Sequence, residues 1–176
     1  MSVLLDELLE LFHIGHAPYH REDIKLTDLA NEVAEFVNSI TQKPEVKIEF
    51  EQNLPLVYGD RRRLREVLQI LIGNAIKFST GKRVQHINIG SRKQGNEVII
   101  FVEDNGIGID PNYHQRVFRL FERLNPSIEG SGVGLTLAHR ILEQHGGRVW
   151  VESKENGSGS TFYFTIPRQE LHQSPV

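Results

Sequence analysis

Apolar and polar residues follow two different spacings along this chain, and the two spacings predict helices and strands. Apolar residues at helical intervals predict helices over 3–14, 26–41, 60–78 and from about 133 to 145. Alternating apolar and polar residues predict strands over 46–50, 84–91, 97–104, 148–152 and 161–165. Pro111 is predicted to open one more helix that ends near Phe121, and 15–25 is predicted to be a linker. Thr27 or Asp28 is the predicted cap of the 26–41 helix.

These elements predict an α/β fold. Strands that occur in pairs, with helices between the pairs, favour a two-layer α/β sandwich with a mixed, mostly antiparallel sheet and helices on one face. The helix over 3–14 is apolar around more than one face, which is typical of a helix with neighbours on several sides. It is interpreted either as the end of a helical hairpin or as a helix packed on the following domain. Residues 168–176 show no pattern and are predicted to be a loose tail.

Composition narrows the possible classes of function. A length of 176 residues fits one domain with a short appendage, and a net charge of −3 argues against nucleic acid as a partner. The chain has no cysteine, which excludes disulfides and thiolate metal sites and agrees with a reducing compartment. No segment approaches the roughly 20 apolar residues of a membrane span. The 3–14 segment lacks the basic start and cleavage site of a signal peptide, so no membrane contact is predicted.

The predicted helix over 60–78 carries the first candidate group. Asn74 lies off its apolar stripe, and Lys77 is on the same side three residues later. An amide oxygen is a suitable ligand for magnesium, and an ammonium group one turn away can bind a phosphate oxygen. The alternative is a solvated amide and a surface lysine. Phe78 is expected to be a core residue, and stacking on a flat base is the alternative.

The segment Asp104-Asn105-Gly106-Ile107-Gly108 is the second candidate group. A carboxylate at a strand end, followed by glycines that expose the backbone, suits a flat ligand with an exocyclic amine such as adenine. The alternative is a turn that ends the strand, because Asp, Asn and Gly are the usual turn residues.

The third candidate group is Gly130-Ser131-Gly132-Val133-Gly134-Leu135, directly before a predicted helix. Glycines at a helix start let backbone N–H groups face an anion. The spacing matches neither the dinucleotide fingerprint nor the Walker A loop. A flexible loop before a helix is the alternative.

Taken in this order, the three groups resemble the ATP-binding domain of sensor histidine kinases, in the GHKL superfamily shared with DNA gyrase and a heat-shock chaperone. Leu68–Phe78 resembles the N box, Asp104–Gly108 and Gly130–Leu135 resemble the two glycine boxes, and Val117–Leu124 resembles the F box. The segments Gly146–Ser153 and Gly159–Phe162 are also similar to this family. Phytochrome-type members are the most similar in motif style. The resemblance covers residues 26–167 and implies the GHKL (Bergerat) fold, with nucleotide between the helices and the sheet.

The resemblance also implies roles for individual residues. Asn74 would bind Mg²⁺, Lys77 would bind a phosphate, and Asp104 would accept a hydrogen bond from the adenine amine. Arg123 would reach toward the γ-phosphate, and Phe78 would belong to the nucleotide site. Gly106 and Gly108 would line the base, and the lid over the triphosphate would contain Gly130, Gly132, Gly134 and Leu135. Phe118 and Phe121 would seat that lid, although plain core packing is the preferred interpretation of both rings.

The chain departs from the family pattern at position 70. The family usually has a polar residue one turn before the magnesium-binding asparagine, and here that residue is Ile70. On a helix it lies about 40° from Asn74, on the ligand side. ATP binding is expected to survive this change, whereas phosphotransfer is placed in question. A regulatory ATP-binding module with weak or no transfer is therefore the alternative function. An ATP-hydrolysing chaperone or topoisomerase-like enzyme is a third hypothesis.

None of the eight histidines fits the phosphoacceptor pattern of the family, so this chain is not expected to phosphorylate itself. His13, His16 and His20 are interpreted as surface linker residues, with metal ligation as the alternative. The basic run Arg61–Arg65 is interpreted as a solvated helix face.

The implied organisation has three parts. Residues 1–20 would be the C-terminal end of a dimerisation and phosphoacceptor helix with a linker, 21–167 the catalytic ATP-binding domain, and 168–176 the tail. The implied cofactors are ATP and Mg²⁺. The implied partners are the histidine-bearing dimerisation domain of a parent kinase and a response regulator, with a homodimer at full length. The domain is expected in the cytoplasm, on a parent that is either soluble or membrane-bound.

Overall fold

A computed structural model of the protein describes residues 2–14, 18–41, 46–79, 81, 84–153 and 158–167. The helices are α1 (Ser2–His13), α2 (Leu26–Ile40), α3 (Arg61–Lys77) and α4 (Gly134–Gln144). The strands are β1 (Arg21–Lys25), β2 (Val46–Phe50), β3 (Leu56–Asp60), β4 (Gln85–Gln94), β5 (Glu97–Asp104), β6 (Val149–Ser153) and β7 (Ser160–Thr165). Among the described residues, no helix is both long and apolar enough to cross a membrane.

The main sheet has five strands in the order β2-β4-β5-β7-β6. The β2–β4 pair is parallel, and the other three pairs are antiparallel. The β4–β5 pair is the predicted hairpin, in which Ile87 is opposite Asp104. The mixed, mostly antiparallel sheet of the sequence prediction is confirmed.

One face of this sheet carries the core. Ile100, Val102 and Phe162 from the sheet pack in one buried cluster with Leu68 of α3 and Ile141 of α4. These residues recur at intervals of two in the strands and three or four in the helices, so each element presents one apolar face to the other layer. The two-layer arrangement with helices on one face is therefore confirmed.

The other sheet face is covered by side chains of the strands themselves. The rings of Trp150 and Tyr163 stack with centroids 5.3 Å apart. The guanidinium groups of Arg92 and Arg148 lie over Tyr163 and Trp150, at 4.5 and 4.9 Å from the ring centroids. These flat groups shield the sheet on the side where there is no helix, which explains the burial of Ile99.

Three local predictions were wrong. The predicted linker over 15–25 contains β1, which pairs with the unpredicted strand β3 in a separate two-stranded antiparallel sheet. The helix predicted from Pro111 to Phe121 is instead two short 3₁₀ turns, Pro111–Tyr113 and Arg116–Phe118. Helix α2 begins directly after Lys25, whose side chain forms no capping hydrogen bond, so Thr27 and Asp28 lie inside the helix and are not its caps.

The predicted tail over 168–176, His16 and the turn at Gly157 lie outside the described residues.

Helix α1 packs on the domain through one face only. Ile14, just after the helix, is 2% exposed and belongs to the core, and Leu11 packs against that core. Glu10 binds Arg63 at the start of α3 with 2.6 Å between Oε2 and the guanidinium nitrogen. Large apolar side chains of α1 remain exposed, namely Leu4, Leu5, Leu9 and Phe12.

Candidate functional site

A cavity of about 440 Å³ opens between α3, the start of α4 and the end of β5. Its volume lies in the range of pockets that bind small molecules. The residues that the sequence analysis selected and that line this cavity are Asn74, Lys77, Phe78, Asp104, Gly108, Arg123, Gly130, Gly132, Gly134 and Leu135. The cavity therefore brings together ten side chains and glycines from four separate motifs.

Helix α3 presents Asn74 and Lys77 to this cavity. The helix begins after Asp60, whose side chain accepts a hydrogen bond from the backbone N–H of Arg63 at 3.1 Å. Its apolar stripe faces the core, which turns Asn74 and Lys77 toward the cavity. Burial lowers the pKa of Lys77, and the positive charge of Arg123 lowers it further. The carboxylates of Glu129 and Glu7 oppose this shift only in part, so the lysine is a partly desolvated cation whose charge is incompletely balanced.

Phe78 ends α3 and lines the cavity, outside the described core, so the core interpretation of this ring was wrong. The ammonium group of Lys77 lies 5.4 Å from its ring centroid. The Phe78 carbonyl accepts a hydrogen bond from the N–H of Ile107 at 3.0 Å. This bond fixes the first glycine segment against the end of the helix.

Asp104 is the buried acid of the site, with 9% of its surface exposed. Its Oδ1 accepts hydrogen bonds from the backbone N–H groups of Gly106 at 2.7 Å and Ser160 at 3.4 Å. Burial raises the pKa of Asp104 to about 6, although the hydrogen bonds from Gly106 and Ser160 oppose this rise. The carboxylate is held in one orientation and is more easily protonated than a solvated one.

The two glycines after Asp104 have different environments. Gly108 lines the cavity in the left-handed region, at φ +79°. Gly106 does not line the cavity. A Cβ at this position would lie 2.5 Å from the Phe78 carbonyl oxygen and 2.7 Å from Asp104 Oδ1. Glycine at position 106 is therefore required by close packing of the protein on itself.

The second glycine segment crosses the cavity opposite α3. A Cβ on Gly130 would collide with the ammonium group of Lys77. A Cβ on Gly134 would lie 3.5 Å from Cγ2 of Ile70, which also lines the cavity. Ile70 is thus on the ligand side of α3, as the helical wheel predicted.

Gly132 is held by the chain on its other side. It has φ +73°, and its carbonyl accepts a hydrogen bond from the N–H of Phe121 at 2.9 Å. Phe121 itself has φ +63° and is 53% exposed, so core packing was the wrong interpretation of this residue. Phe118 does pack against the core, with its ring 6.2 Å from that of Phe162. The loop is thus fixed by the Phe121 backbone and not by its ring.

Arg123 lines the cavity, but its guanidinium group is bound to the loop. One nitrogen donates to the carbonyl oxygens of Pro126 at 2.9 Å and Ile128 at 2.7 Å. An arginine has five N–H donors, so others remain for a ligand.

Several polar residues of the wall had no predicted role, namely Glu7, Gln69, Glu122, Asn125 and Ser160. Ser160 lies in the segment that resembles the family, and that segment had suggested no role for it. Gln69 precedes Ile70 on α3. Glu7 had no local signal, because only the packing of α1 on the domain brings it to the cavity.

The remaining charged candidates lie outside the cavity wall. His13 and His20 are exposed, as the surface interpretation predicts. In the basic run, Arg63 is 7% exposed and binds Glu10 and Glu66, so a fully solvated face was the wrong interpretation. Burial raises the pKa of Glu66, and the hydrogen bond and positive charge of Arg63 oppose this rise only in part.

Comparison with known proteins identifies relatives of this chain. Residues 59–170 match the family of histidine kinase-, DNA gyrase B- and HSP90-like ATPases. The methanogenesis regulatory histidine kinase FilI of Methanothrix harundinacea (strain 6Ac) is 37% identical over 167 residues, covering 95% of this chain and 19% of FilI. Cyanobacterial phytochrome B of Nostoc sp. (strain PCC 7120) is 37% identical over 170 residues, covering 94% of this chain and 22% of the phytochrome. The chain thus spans about a fifth of these relatives.

Two histidine kinases are among the solved structures with the same fold. Full-length ShkA, in complex with AMPPNP, matches with a TM-score of 0.79 and 27% identity over 93% of this chain and 35% of ShkA. ThkA, in complex with the response regulator TrrA, matches with a TM-score of 0.76 and 26% identity over 96% of this chain and 48% of ThkA.

Proposed function

Because the chain belongs to the family of histidine kinase-, DNA gyrase B- and HSP90-like ATPases, we propose that it is the Mg²⁺-ATP-binding catalytic domain of a two-component sensor histidine kinase. It transfers the γ-phosphoryl group of ATP to a histidine on a dimerisation domain. The names of the relatives favour this function over a regulatory module without transfer activity.

One observation carries the proposal: Asp104, Asn74 and Lys77, and the glycine loop line the same cavity. A carboxylate that can accept from the adenine amine is at one side. A cation and an amide oxygen are on the facing helix, and glycines with exposed backbone cross between them. These groups match the base, the triphosphate and its metal ion in chemical character.

The donor set of the cavity fits Mg²⁺. The described residues contain no group of three or more His, Cys, Asp or Glu that could hold a metal ion. Mg²⁺ in nucleotide sites takes one or two protein oxygens together with phosphates and water. Asn74 offers an amide oxygen, and Glu7 offers a carboxylate oxygen that is buried and has no hydrogen-bond partner among the described residues. When bound, Mg²⁺ would supply positive charge to the phosphates.

The remaining catalytic work belongs to the side chains and backbone of the domain. Lys77 would donate to a phosphate oxygen, and its depressed pKa reflects a cation that gains by meeting an anion. Arg123 would donate toward the γ-phosphate with the N–H groups that the loop does not use. The N–H groups of the glycine loop would face the phosphates. The domain would thus position ATP and stabilise charge while a histidine nitrogen attacks in line.

We expect Mg²⁺-ATP to raise the melting temperature of the protein, and GTP to have a much smaller effect. GTP carries a carbonyl oxygen where ATP has its amine, so Asp104 would face an acceptor. At a concentration 100 times the Kd, a ligand stabilises the fold by about 2.7 kcal/mol, which is about 5–10 °C for a domain of this size. Thermal unfolding with each nucleotide measures this difference, and equal shifts for ATP and GTP contradict the assignment of Asp104.

The affinity for ATP should fall as the pH is lowered through about 6, the pKa of Asp104 in the free protein. The adenine amine donates to the ionised carboxylate, and below this pKa the carboxyl group must lose a proton before it can accept. The loss of ATP affinity approaches about tenfold per pH unit at pH values well below the pKa of Asp104. Calorimetric titrations from pH 5 to pH 8 measure it. The same series with Asp104→Asn shows how much of the change comes from protonation of the phosphates, and identical slopes for both proteins refute the prediction.

The partners and organisation of the parent protein follow from the same proposal. The complex of ThkA with the response regulator TrrA supports a response regulator as a partner of this kinase. Residues 1–20 would be the end of the dimerisation helix with a linker, and 21–167 the catalytic domain. The parent kinase would be a homodimer with this domain in the cytoplasm.

A further inference from the structure

Among the described side chains of α1, Glu7 alone lines the cavity, whose wall also contains Gln69, Ile70 and Asn74 of α3. Its Oε2 is buried and has no hydrogen-bond partner among the described residues. The charge of Glu7 attracts the Lys77 ammonium, whose pKa it raises, but its buried oxygen has lost hydration that no hydrogen-bond donor among the described residues replaces, so it can take a further ligand.

The packing of α1 holds Glu7 in this place. Glu10, three residues later on the same helix face, binds Arg63 at 2.6 Å, and Leu11 and Ile14 join the core. Glu10 meets the first turn of α3, whereas Glu7 lines the cavity together with later residues of α3. The helix is therefore fixed at its C-terminal half, and Glu7 reaches the cavity from a supported position.

Charge restricts what Glu7 can bind. A carboxylate repels a bare triphosphate, and the same carboxylate binds a triphosphate whose charge is bridged by a divalent cation. Position 70, where the family has a polar residue, is aliphatic in this chain and offers no oxygen. Glu7 and Asn74 together provide two oxygen ligands from two helices on the same cavity.

We propose that Glu7 replaces the missing polar group of position 70, as a ligand of the nucleotide's divalent cation. It thereby makes the domain select cation-loaded ATP over free ATP. This inference rests on the proposed function of the cavity. It assigns to α1 a part in nucleotide selection, in addition to its packing on the domain.

The test is a set of ATP affinities for the whole chain, measured by calorimetry with Mg²⁺ and with EDTA. In Glu7→Gln, we expect Mg²⁺-ATP to bind about tenfold more weakly, the usual order for the loss of a metal-supporting group. Metal-free ATP should bind at least as tightly as in the wild type, because the repelling charge is gone. Asp6→Asn is the matched control, since it removes the same charge from the exposed neighbouring position and should leave both affinities unchanged.

A second variant tests the compensation between Glu7 and position 70. Adding Ile70→Asn to Glu7→Gln should restore part of the preference for Mg²⁺-ATP, and a double variant that binds both forms like Glu7→Gln overturns the compensation. If Glu7→Gln strengthens both affinities equally, or changes neither, Glu7 is not a cation ligand. A wild-type chain that binds ATP in neither condition contradicts the proposed function itself, so the two failures are distinguishable.

Discussion

Asp104→Asn should weaken ATP binding by about 10- to 100-fold, because a hydrogen bond to a charged group contributes about 1.5–3 kcal/mol. The asparagine can keep the hydrogen bond from the Gly106 N–H, since its amide oxygen is an acceptor. Its NH₂ group would then face the adenine amine, so two donors would meet. The binding loss should appear in calorimetric titrations with Mg²⁺-ATP at pH 7.

The fold should not lose stability in this variant at pH 7. Burial raises the pKa of Asp104 from 3.8 to about 6, so the folded protein holds the proton more tightly than the unfolded chain. The stability that comes from this group is fully present below pH 3.8 and is lost as the pH rises through about 6. At pH 7 the ionised carboxylate therefore destabilises the fold, and a neutral amide removes that cost. Thermal unfolding at pH 7 should show an equal or higher melting temperature.

Glu103→Gln provides the matched control for Asp104→Asn. Glu103 is the preceding residue of β5, is exposed, and does not line the cavity. The Glu103→Gln variant loses the same charge as Asp104→Asn, so its affinity shows any general effect of net charge on ATP binding. Equal affinities of Asp104→Asn and the wild type would remove Asp104 from the adenine site.

Asn74→Ala should reduce phosphoryl transfer by about 100-fold, because a metal ion that stabilises transition-state charge contributes several kcal/mol. The effect on ATP binding in EDTA should be small, since Asn74 is proposed to act through Mg²⁺. Transfer is measured with labelled ATP and a separately prepared histidine-bearing helical bundle. Asn112→Ala, at an exposed position outside the cavity wall, is the control.

This experiment also separates the two proposed classes of function. Label on the histidine with the wild-type chain supports the kinase, and loss of label in Asn74→Ala supports the role of Asn74. Tight Mg²⁺-ATP binding without label supports the regulatory module, for which Ile70 is the sequence argument. Full transfer activity in Asn74→Ala would show that the amide is not needed as a metal ligand.

The elements that the sequence predicted well are those with strong local signals. Helix α3 has a regular apolar stripe and a capping aspartate, and the β4–β5 hairpin has alternating residues around a glycine turn. These signals depend on residues a few positions apart, so they act before any tertiary contact forms. The order and residue types of the four motifs also predicted the family and the main residues of the cavity.

The wrong predictions concern segments whose backbone is stabilised from a distance. The 111–121 segment has a helix-like composition, yet the Phe121 N–H donates to Gly132 and the Phe118 carbonyl accepts from Thr136 Oγ1 at 3.0 Å. These tertiary hydrogen bonds replace those of a helix. Strands β1 and β3 are five residues each and pair across the whole of α2, so neither is evident from its own sequence.

The sequence by itself determined which chemical groups this protein has for a nucleotide: an acid at a strand end, an amide and a lysine on one helix face, and two glycine segments. The tertiary structure alone decided that Glu7 joins them, that Gly106 serves packing, and that the Phe121 backbone holds the loop. The physical reason is distance along the chain. Residue type and spacing fix what a short segment can do, whereas burial, charge and close contact depend on which remote segments fold against it.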